Sequence, residues 1–184
     1  RQRQMCIRDR HEIDLIEKYV QSGGRVLFLV DPDEGSNHLN NIALLLEKYG
    51  LLLGNDVIID PLSRVLSGDY FMPVISDYTY SPITRDFRLA TFMKVARSIG
   101  TKDSTGENIM TRVVARTGES SWAETNVSDL FQKQKAKFDE GIDQKGPVSI
   151  MAYATITLKD EQPGPESSKD SGEEDAAAQD EDDT

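Results

Sequence analysis

The chain has 184 residues and a formal net charge of −11, and most of that charge lies at one end. Residues 159–184 contain 11 acidic residues and two lysines, so the rest of the chain is nearly neutral. A neutral body offers no basic surface for phosphate groups, which argues against nucleic acid as a partner. No run approaches the roughly 20 apolar residues of a membrane span, and no signal-peptide pattern opens the chain.

The first ten residues, RQRQMCIRDR, have no apolar periodicity and do not begin with methionine. They resemble a translated sequencing-adapter artefact of the kind found at the ends of assembled reading frames. We therefore predict that residues 1–10 are a non-native or disordered arm, and we give Cys6 no role. Because Cys6 is the only cysteine, an intrachain disulfide and a thiolate metal cluster are excluded.

An amphipathic helix is predicted over residues 11–22. Its apolar positions share one face: Ile13, Ile16 and Val20. Gly23 and Gly24 follow, and glycine accepts the left-handed conformation that ends helices. The next run, RVLFLV at 25–30, is short, apolar and rich in β-forming residues. Such a run is typical of a parallel strand covered on both faces.

A second helix is predicted over residues 38–50, with Gly50 closing it. Its apolar face is formed by Leu39, Ile42, Ala43, Leu46 and Tyr49. The sequence DVIID at 56–60 is the next predicted strand. Helix, strand, helix and strand in this order, with short connections, predict a right-handed α/β unit built on a parallel sheet.

The pattern is less regular after Pro61. Residues 69–87 are broken by prolines and are predicted to be irregular with short extended pieces, while residues 88–99 fit either a strand or a helix. Two strands and an intervening helix are predicted further on: the strands at 108–117 and 146–158, and the helix from a cap at Asn126 or Ser128. Residues 159–184 cannot bury enough apolar surface to order themselves, so an acidic disordered linker or tail is predicted there. The predicted domain therefore spans residues 11–158.

The turn DPDEGSN at 31–37 places several hard oxygen donors at close spacing. The two glycines precede the strand and the acids follow it, which is the wrong arrangement for holding a phosphate. Asp31, Asp33 and Asn37 could instead ligate a metal ion. The other interpretation is a turn whose Asp side chains accept backbone N–H bonds and cap the following helix. Either feature would lie at a strand carboxyl end, where open α/β sheets bind ligands.

No catalytic constellation is predicted. The sequence has no G-x-S-x-G elbow, and its two histidines, His11 and His38, both lie at predicted helix starts. Nucleophilic catalysis needs a nucleophile, a base and an orienting group within reach of one another. We therefore assign no catalytic residue and no cofactor from the sequence.

Six stretches, taken in chain order, resemble the GldG-like auxiliary component of ABC-type transport systems. They are LIEKYVQSGGRVLFLVDP, LNNIALLLEKYGLLLGNDVIID, YSPITRDF, ARSI, SSWAET and KGPVSIMAYA. That family is associated with gliding motility, and a related domain occurs in an intraflagellar-transport protein. The six stretches are spread along nearly the whole of the predicted domain.

The resemblance implies a Rossmann-like α/β fold, similar to class I glutamine amidotransferases, with a parallel or mixed sheet truncated at both ends. It implies a full-length protein anchored in the cell membrane, with this domain on the extracytoplasmic, periplasmic face. The family is not known to be catalytic, and this chain has no counterpart of the amidotransferase Cys-His pair. Relatives often carry His before the proline of YSPIT, where this chain has Ser81.

Our sequence-based interpretation is a non-catalytic extracytoplasmic domain of a membrane ABC-type transport complex. The expected partners are the transporter subunits, or an exported glycan or lipid ligand. The expected binding residues are Asp31, Asp33, Asn37, His38, Tyr80, Ser81, Thr84 and Arg85. The alternative is a degenerate amidotransferase-like or metal-dependent hydrolase that uses Asp31, Asp33 and His38.

Overall fold

The computed structural model describes residues 10–33, 39–102, 106–133 and 135–158. The helices and strands of these residues are, in chain order, α1 Arg10–Gln21, α2 Asn40–Lys48, β1 Leu51–Leu53, β2 Val57–Ile59, α3 Pro61–Ser67, β3 Val74–Ile75, β4 Asp77–Tyr78, β5 Thr91–Phe92, β6 Ile99–Thr101, β7 Ile109–Arg116, β8 Trp122–Glu124, α4 Val127–Lys133, β9 Gln144–Lys145 and β10 Ser149–Ile156. Among the described helices, none is both long enough and apolar enough to cross a bilayer. The predicted tail at 159–184 lies outside the described residues.

The strands form small antiparallel sheets. Two sheets have three strands each, in the orders β10-β7-β4 and β2-β8-β9, and two have two strands each, β1-β6 and β3-β5. Every strand pairing within the described residues is antiparallel. The predicted Rossmann-like, amidotransferase-like parallel or mixed sheet is therefore wrong.

The physical reason for this error is the run at 25–30, which we call segment 25–30. The prediction needed it to pair with the strand at 56–60, because a parallel crossover joins two strands of one sheet. Segment 25–30 belongs to none of the sheets that the described residues form, and β2 pairs instead with β8, far along the chain. The segment is also not covered on both faces, since Leu27 is 81% exposed and Leu29 is 87% exposed.

Several predicted elements are confirmed. Helix α1 ends where predicted, at Gly23, which has φ +89° and donates its N–H to the Val20 carbonyl at 3.0 Å. Helix α2 closes at Gly50, with φ +78°. The predicted strands at 56–60, 108–117 and 146–158 correspond to β2, β7 and β10. Of the two possible caps for α4, Asn126 is the one used, because its Oδ1 accepts from the Asp129 N–H at 3.2 Å.

Strand β2 is the most deeply buried element of the core. Its side chains alternate between two hydrophobic clusters, as the period of a strand requires. Val57 and Ile59 pack with Leu130 of α4, while Ile58 packs on the other side with Ala123 and Val148. All three β2 residues are at most 1% exposed. A third cluster lies under α2 and contains Ile42, Leu46 and Leu51, with Phe28 and Val30 of segment 25–30 against it.

Helix α3 was not predicted, although the sequence carries its signals. Asp60 is the N-cap and Pro61 follows at the first helical position, where its missing N–H is not needed. Gly68 ends the helix in the left-handed conformation. Asp60 Oδ1 accepts from the Leu62 N–H at 3.0 Å, and Oδ2 accepts from the Val74 N–H at 3.1 Å. One buried carboxylate therefore joins the start of α3 to β3.

We predict that Asp60→Ala lowers the free energy of unfolding by about 2–4 kcal/mol, because it removes a helix cap and leaves two backbone N–H groups without their acceptor. Urea denaturation followed by far-UV circular dichroism measures this change. The matched control is Asp77→Ala, since Asp77 is exposed at the surface. Equal denaturation midpoints for the two variants would contradict the assigned role of Asp60.

Candidate functional site

A buried arginine fixes the chain just after segment 25–30. Arg97 Nη1 donates to the Asp31 carbonyl at 3.1 Å, and Nε donates to the Gly54 carbonyl at 2.6 Å. Nη2 donates to the same Gly54 carbonyl. Arg97 is only 8% exposed, so these bonds lie largely out of water. We call this group the Arg97 corner; it consists of Asp31, Gly54, Asp56, Arg97 and Ser98.

The Asp56 carboxylate completes the corner. Its Oδ1 accepts from the Ser98 N–H at 2.7 Å and its Oδ2 accepts from the Ser98 hydroxyl at 2.5 Å. Gly54 lies so close to this pair that a Cβ at that position would overlap both Ser98 Oγ and the Asp56 carboxylate. Only glycine therefore fits between them while presenting its carbonyl to Arg97.

The charge of Arg97 is compensated by nearby acids. Burial lowers the pKa of the Arg97 guanidinium, and the negative charges of Asp56 and Asp33 oppose that shift. Arginine stays protonated in proteins, so its positive charge must be balanced where it is buried. The acidic turn therefore helps to hold the fold: Asp31 accepts through its backbone, and Asp33 contributes its charge.

The metal interpretation of this turn gains no geometric support. Within the ranges that the structure describes, no three His, Cys, Asp or Glu side chains come together in a way that could hold a metal ion. Asn37 and His38 lie outside the described residues. A site formed by Asp31, Asp33 and His38 therefore stays a prediction.

In the second predicted group, the two hydroxyl residues face inward. Ser81 is 1% exposed and Thr84 is 6% exposed, and their hydroxyls are 2.8 Å apart. The Thr84 hydroxyl donates to the Thr79 carbonyl at 2.5 Å, and the Ser81 carbonyl accepts from the Arg85 N–H at 2.9 Å. Ser81 and Thr84 thus shape the turn and do not form a binding surface themselves.

The other side chains of this turn, residues 79–87, lie on the surface. Tyr80 is 74% exposed and Ile83 is 64% exposed. Arg85 Nε lies 3.2 Å from Asp86 Oδ2 in an exposed ion pair, which contributes little to stability. Aromatic residues and arginine are enriched in protein–protein interfaces. We call Tyr80, Ile83 and Arg85 the loop surface.

The structure places the predicted site residues in two separate sets of contacts. Asp31 belongs to the Arg97 corner, next to β1 and β2. Ser81, Thr84 and Arg85 belong to the turn that follows β4, which is the edge of the β10-β7-β4 sheet. The expectation of one continuous surface at strand carboxyl ends depended on a parallel sheet, and the strands that the structure describes pair antiparallel.

The remaining buried acids, Glu124 and Asp143, also accept hydrogen bonds from backbone N–H groups. Glu124 accepts from the Asn126 N–H at 3.1 Å through Oε1, and from the Trp122 indole and the Lys137 N–H through Oε2. Asp143 accepts from the Thr125 N–H and hydroxyl through Oδ1, and from the Asp139 N–H at 2.8 Å through Oδ2. Both oxygens of each carboxylate are therefore occupied, which suits a structural role better than proton transfer.

Arg97 and Asp56 were not predicted as important. The sequence does hold a signal for each of them. Arg97 lies between Ala96 and the strand residues that begin at Ile99, and Asp56 lies directly before the apolar β2. A charge in such a position must find a partner if it is buried. Sequence alone cannot show that these two positions, 41 residues apart in the chain, meet.

Comparison with known proteins identifies a different relative from the one expected. A model of the IFT52 GIFT domain matches residues 6–76, which is less than half of the chain. Among solved structures, the mouse IFT52 N-terminal domain aligns at 21% identity with a TM-score of 0.45. That alignment covers 62% of this chain and 52% of the mouse chain, so this chain spans about half of the mouse domain. No curated protein matches the sequence.

The match of the family model corrects the identification as a GldG-like component of ABC-type transport systems. The matching family model describes an intraflagellar transport protein, so the identification with a transporter component and with gliding motility is wrong. The expected transporter subunits, the glycan or lipid ligand, the membrane anchor and the periplasmic location all depended on that identification. They are withdrawn with it.

We predict that Arg97→Met lowers the free energy of unfolding by about 3–5 kcal/mol, because it leaves Asp56 and Asp33 without their buried counter-charge and two carbonyls without a donor. Methionine keeps much of the side-chain volume, so the change reports mainly on charge and hydrogen bonding. Urea denaturation of the wild-type chain and the Arg97→Met variant measures this loss of stability. The control is Arg88→Met, because Arg88 is exposed. A loss no greater than that of the control would show that the Arg97 corner does not hold the fold.

Proposed function

We propose that this chain is a non-catalytic protein-binding domain related to the IFT52 GIFT domain and that it acts in intraflagellar transport. The observation that carries the proposal is the match of that family model to residues 6–76. The matched stretch runs from α1 through β3 and includes Gly54 and Asp56 of the Arg97 corner. The match to this family over residues 6–76 supports a role similar to that of the family. A component of a transport complex acts by attaching to other proteins.

The arrangement of polar groups also supports binding over catalysis. The buried acids Asp56, Asp60, Glu124 and Asp143 each have both carboxylate oxygens occupied by protein donors. A general base needs an oxygen or nitrogen that can take a proton from a substrate. These carboxylates instead set the geometry of turns and helix starts.

The loop surface is the part of the predicted site that suits a protein partner. Tyr80 and Ile83 present apolar area to solvent, and the buried Ser81–Thr84 pair holds the turn in one conformation. A preformed turn loses little conformational entropy on binding. Arg85 adds a charged group at the rim, where charge contributes to specificity more than to affinity.

We predict that Tyr80→Ala combined with Ile83→Ala weakens binding to purified intraflagellar transport particles by at least about tenfold, because a central aromatic contact in an interface is worth about 2 kcal/mol or more. Biolayer interferometry with the immobilised chain measures the affinity. The matched control is Leu62→Ala combined with Val65→Ala, which removes two other exposed apolar side chains, on α3. If the wild-type chain does not bind the particles, the proposed function is wrong. If both double variants bind alike, the loop surface is the wrong site.

We also predict that Ca²⁺ or Mg²⁺ at about 5 mM leaves the melting temperature unchanged, because a metal bound only by the native state would have to raise it. Differential scanning fluorimetry with a chelator control measures this. A rise that is lost in Asp31→Asn and Asp33→Asn would establish a metal site at the turn. That outcome would favour the metal-dependent alternative over a pure binding domain.

A further inference from the structure

Segment 25–30 is an extended apolar run without hydrogen-bonded neighbours among the described residues. No backbone N–H or C=O of these residues makes a hydrogen bond to another residue that the structure describes. Phe28 and Val30 pack against the core cluster under α2, whereas Leu27 and Leu29 project outward and are 81% and 87% exposed. From Leu27 to Val30 the segment therefore has the alternation of a strand, with Phe28 and Val30 against the core and Leu27 and Leu29 uncovered.

A strand edge whose backbone groups are not hydrogen-bonded can pair with another strand. An exposed, flat, apolar stretch with free backbone donors and acceptors is a template for pairing with a second chain. Natural edges are usually protected by charge, by proline or by a covering element. Here Pro32 and the charged residues lie at the ends of the segment and leave its centre open.

The charges at the two ends identify the partner. Arg25 precedes the segment's apolar residues and Asp31 follows them, and both side chains are exposed. In an antiparallel pairing of two copies about Phe28, Arg25 of each copy lies opposite Asp31 of the other, and Leu27 lies opposite Leu29. Residues directly opposite in an antiparallel pair project from the same face, so four leucines meet on the open side.

We propose that two copies of this chain associate through antiparallel pairing of segment 25–30, with Arg25 of each copy opposite Asp31 of the other. The contact is isologous, because the same edge of each copy takes part, so one such pairing joins two copies. The proposal is independent of the proposed function, because it uses neither the loop surface nor a transport partner.

The Arg97 corner favours this pairing. Arg97 holds the Asp31 carbonyl at one end of the segment, and Gly23 ends α1 before the other end. The segment is therefore held extended before a partner arrives, and less entropy is lost on pairing. Because the hydrogen bond uses the Asp31 backbone, the Asp31 side chain is available to a partner.

Analytical ultracentrifugation of the chain between about 1 and 300 µM tests the proposal. We expect a monomer–dimer equilibrium with a Kd on the order of 10–100 µM, because two paired strands bury less area than a standard interface. A chain that stays monomeric over this range contradicts the proposal, as does assembly into species larger than a dimer.

Two charge-reversal variants identify the register. Arg25→Asp places two aspartates opposite each other, and Asp31→Arg places two arginines opposite each other. Each variant alone should dimerise at least about tenfold more weakly than wild type, because both symmetric pairs become repulsive. An equimolar mixture should form a heterodimer at least as tight as the wild-type dimer, since both pairs become attractive again.

This rescue distinguishes pairing from misfolding, because neither variant can repair a folding defect in the other. Both variant chains carry a net negative charge, so general attraction between the mixed chains does not explain it. The control mixture is Arg64→Asp with Asp77→Arg, two exposed positions outside the segment, which should show no gain over its components. Single variants that dimerise as wild type does, or a mixture without rescue, would overturn the proposed register and interface.

Discussion

The Arg97 guanidinium connects three parts of the chain that are distant in sequence. It bonds to the Asp31 carbonyl after segment 25–30 and to the Gly54 carbonyl between β1 and β2, and it lies just before β6. A buried cation is tolerated only where its charge is balanced and its donors are used, and Asp56 and Asp33 provide the balance. The position of the acidic turn is therefore set by a long-range contact.

This contact explains why the apolar segment 25–30 is extended although it pairs with no strand in the described part of the chain. Segment 25–30 is bounded by the helix stop at Gly23 and by the carbonyl that Arg97 holds. Phe28 and Val30 join the core, and the opposite face remains open. The same anchoring that stabilises the monomer therefore presents a strand edge to solvent. Stability and the proposed self-association depend on one cluster of residues.

Local elements were largely predictable, because they depend on local signals. The periodicity of α1, its stop at Gly23, the Asn126 cap and the strands β2, β7 and β10 all follow from short-range pattern. The sheet type was not predictable, because it depends on which distant strand β2 meets, and β8 lies more than 60 residues away. The alternation of helices and strands fits a parallel unit equally well. Only the pairing of strands in the folded chain decides between a parallel and an antiparallel sheet.

The second predicted group was expected on a loop surface, and Tyr80 and the Arg85–Asp86 ion pair are exposed. Binding by these residues stays a prediction. The sequence did not predict that the hydroxyls of Ser81 and Thr84 bond to each other inside the turn. Arg97 was missed because an arginine in a short motif looks like a surface residue until its partners are known. The family resemblance led to the wrong relative because its stretches are short and shared between related domains.

The central claim is that segment 25–30 is fixed at its ends but has no strand partner among the residues that the structure describes. Amide hydrogen exchange at residues 26–30, measured as a function of protein concentration, tests it most directly. Unpaired amides exchange with little protection, so fast exchange is expected in dilute solution, with protection appearing as the dimer forms. Strong protection that is independent of concentration would mean that the segment pairs inside the chain, and it would contradict this account.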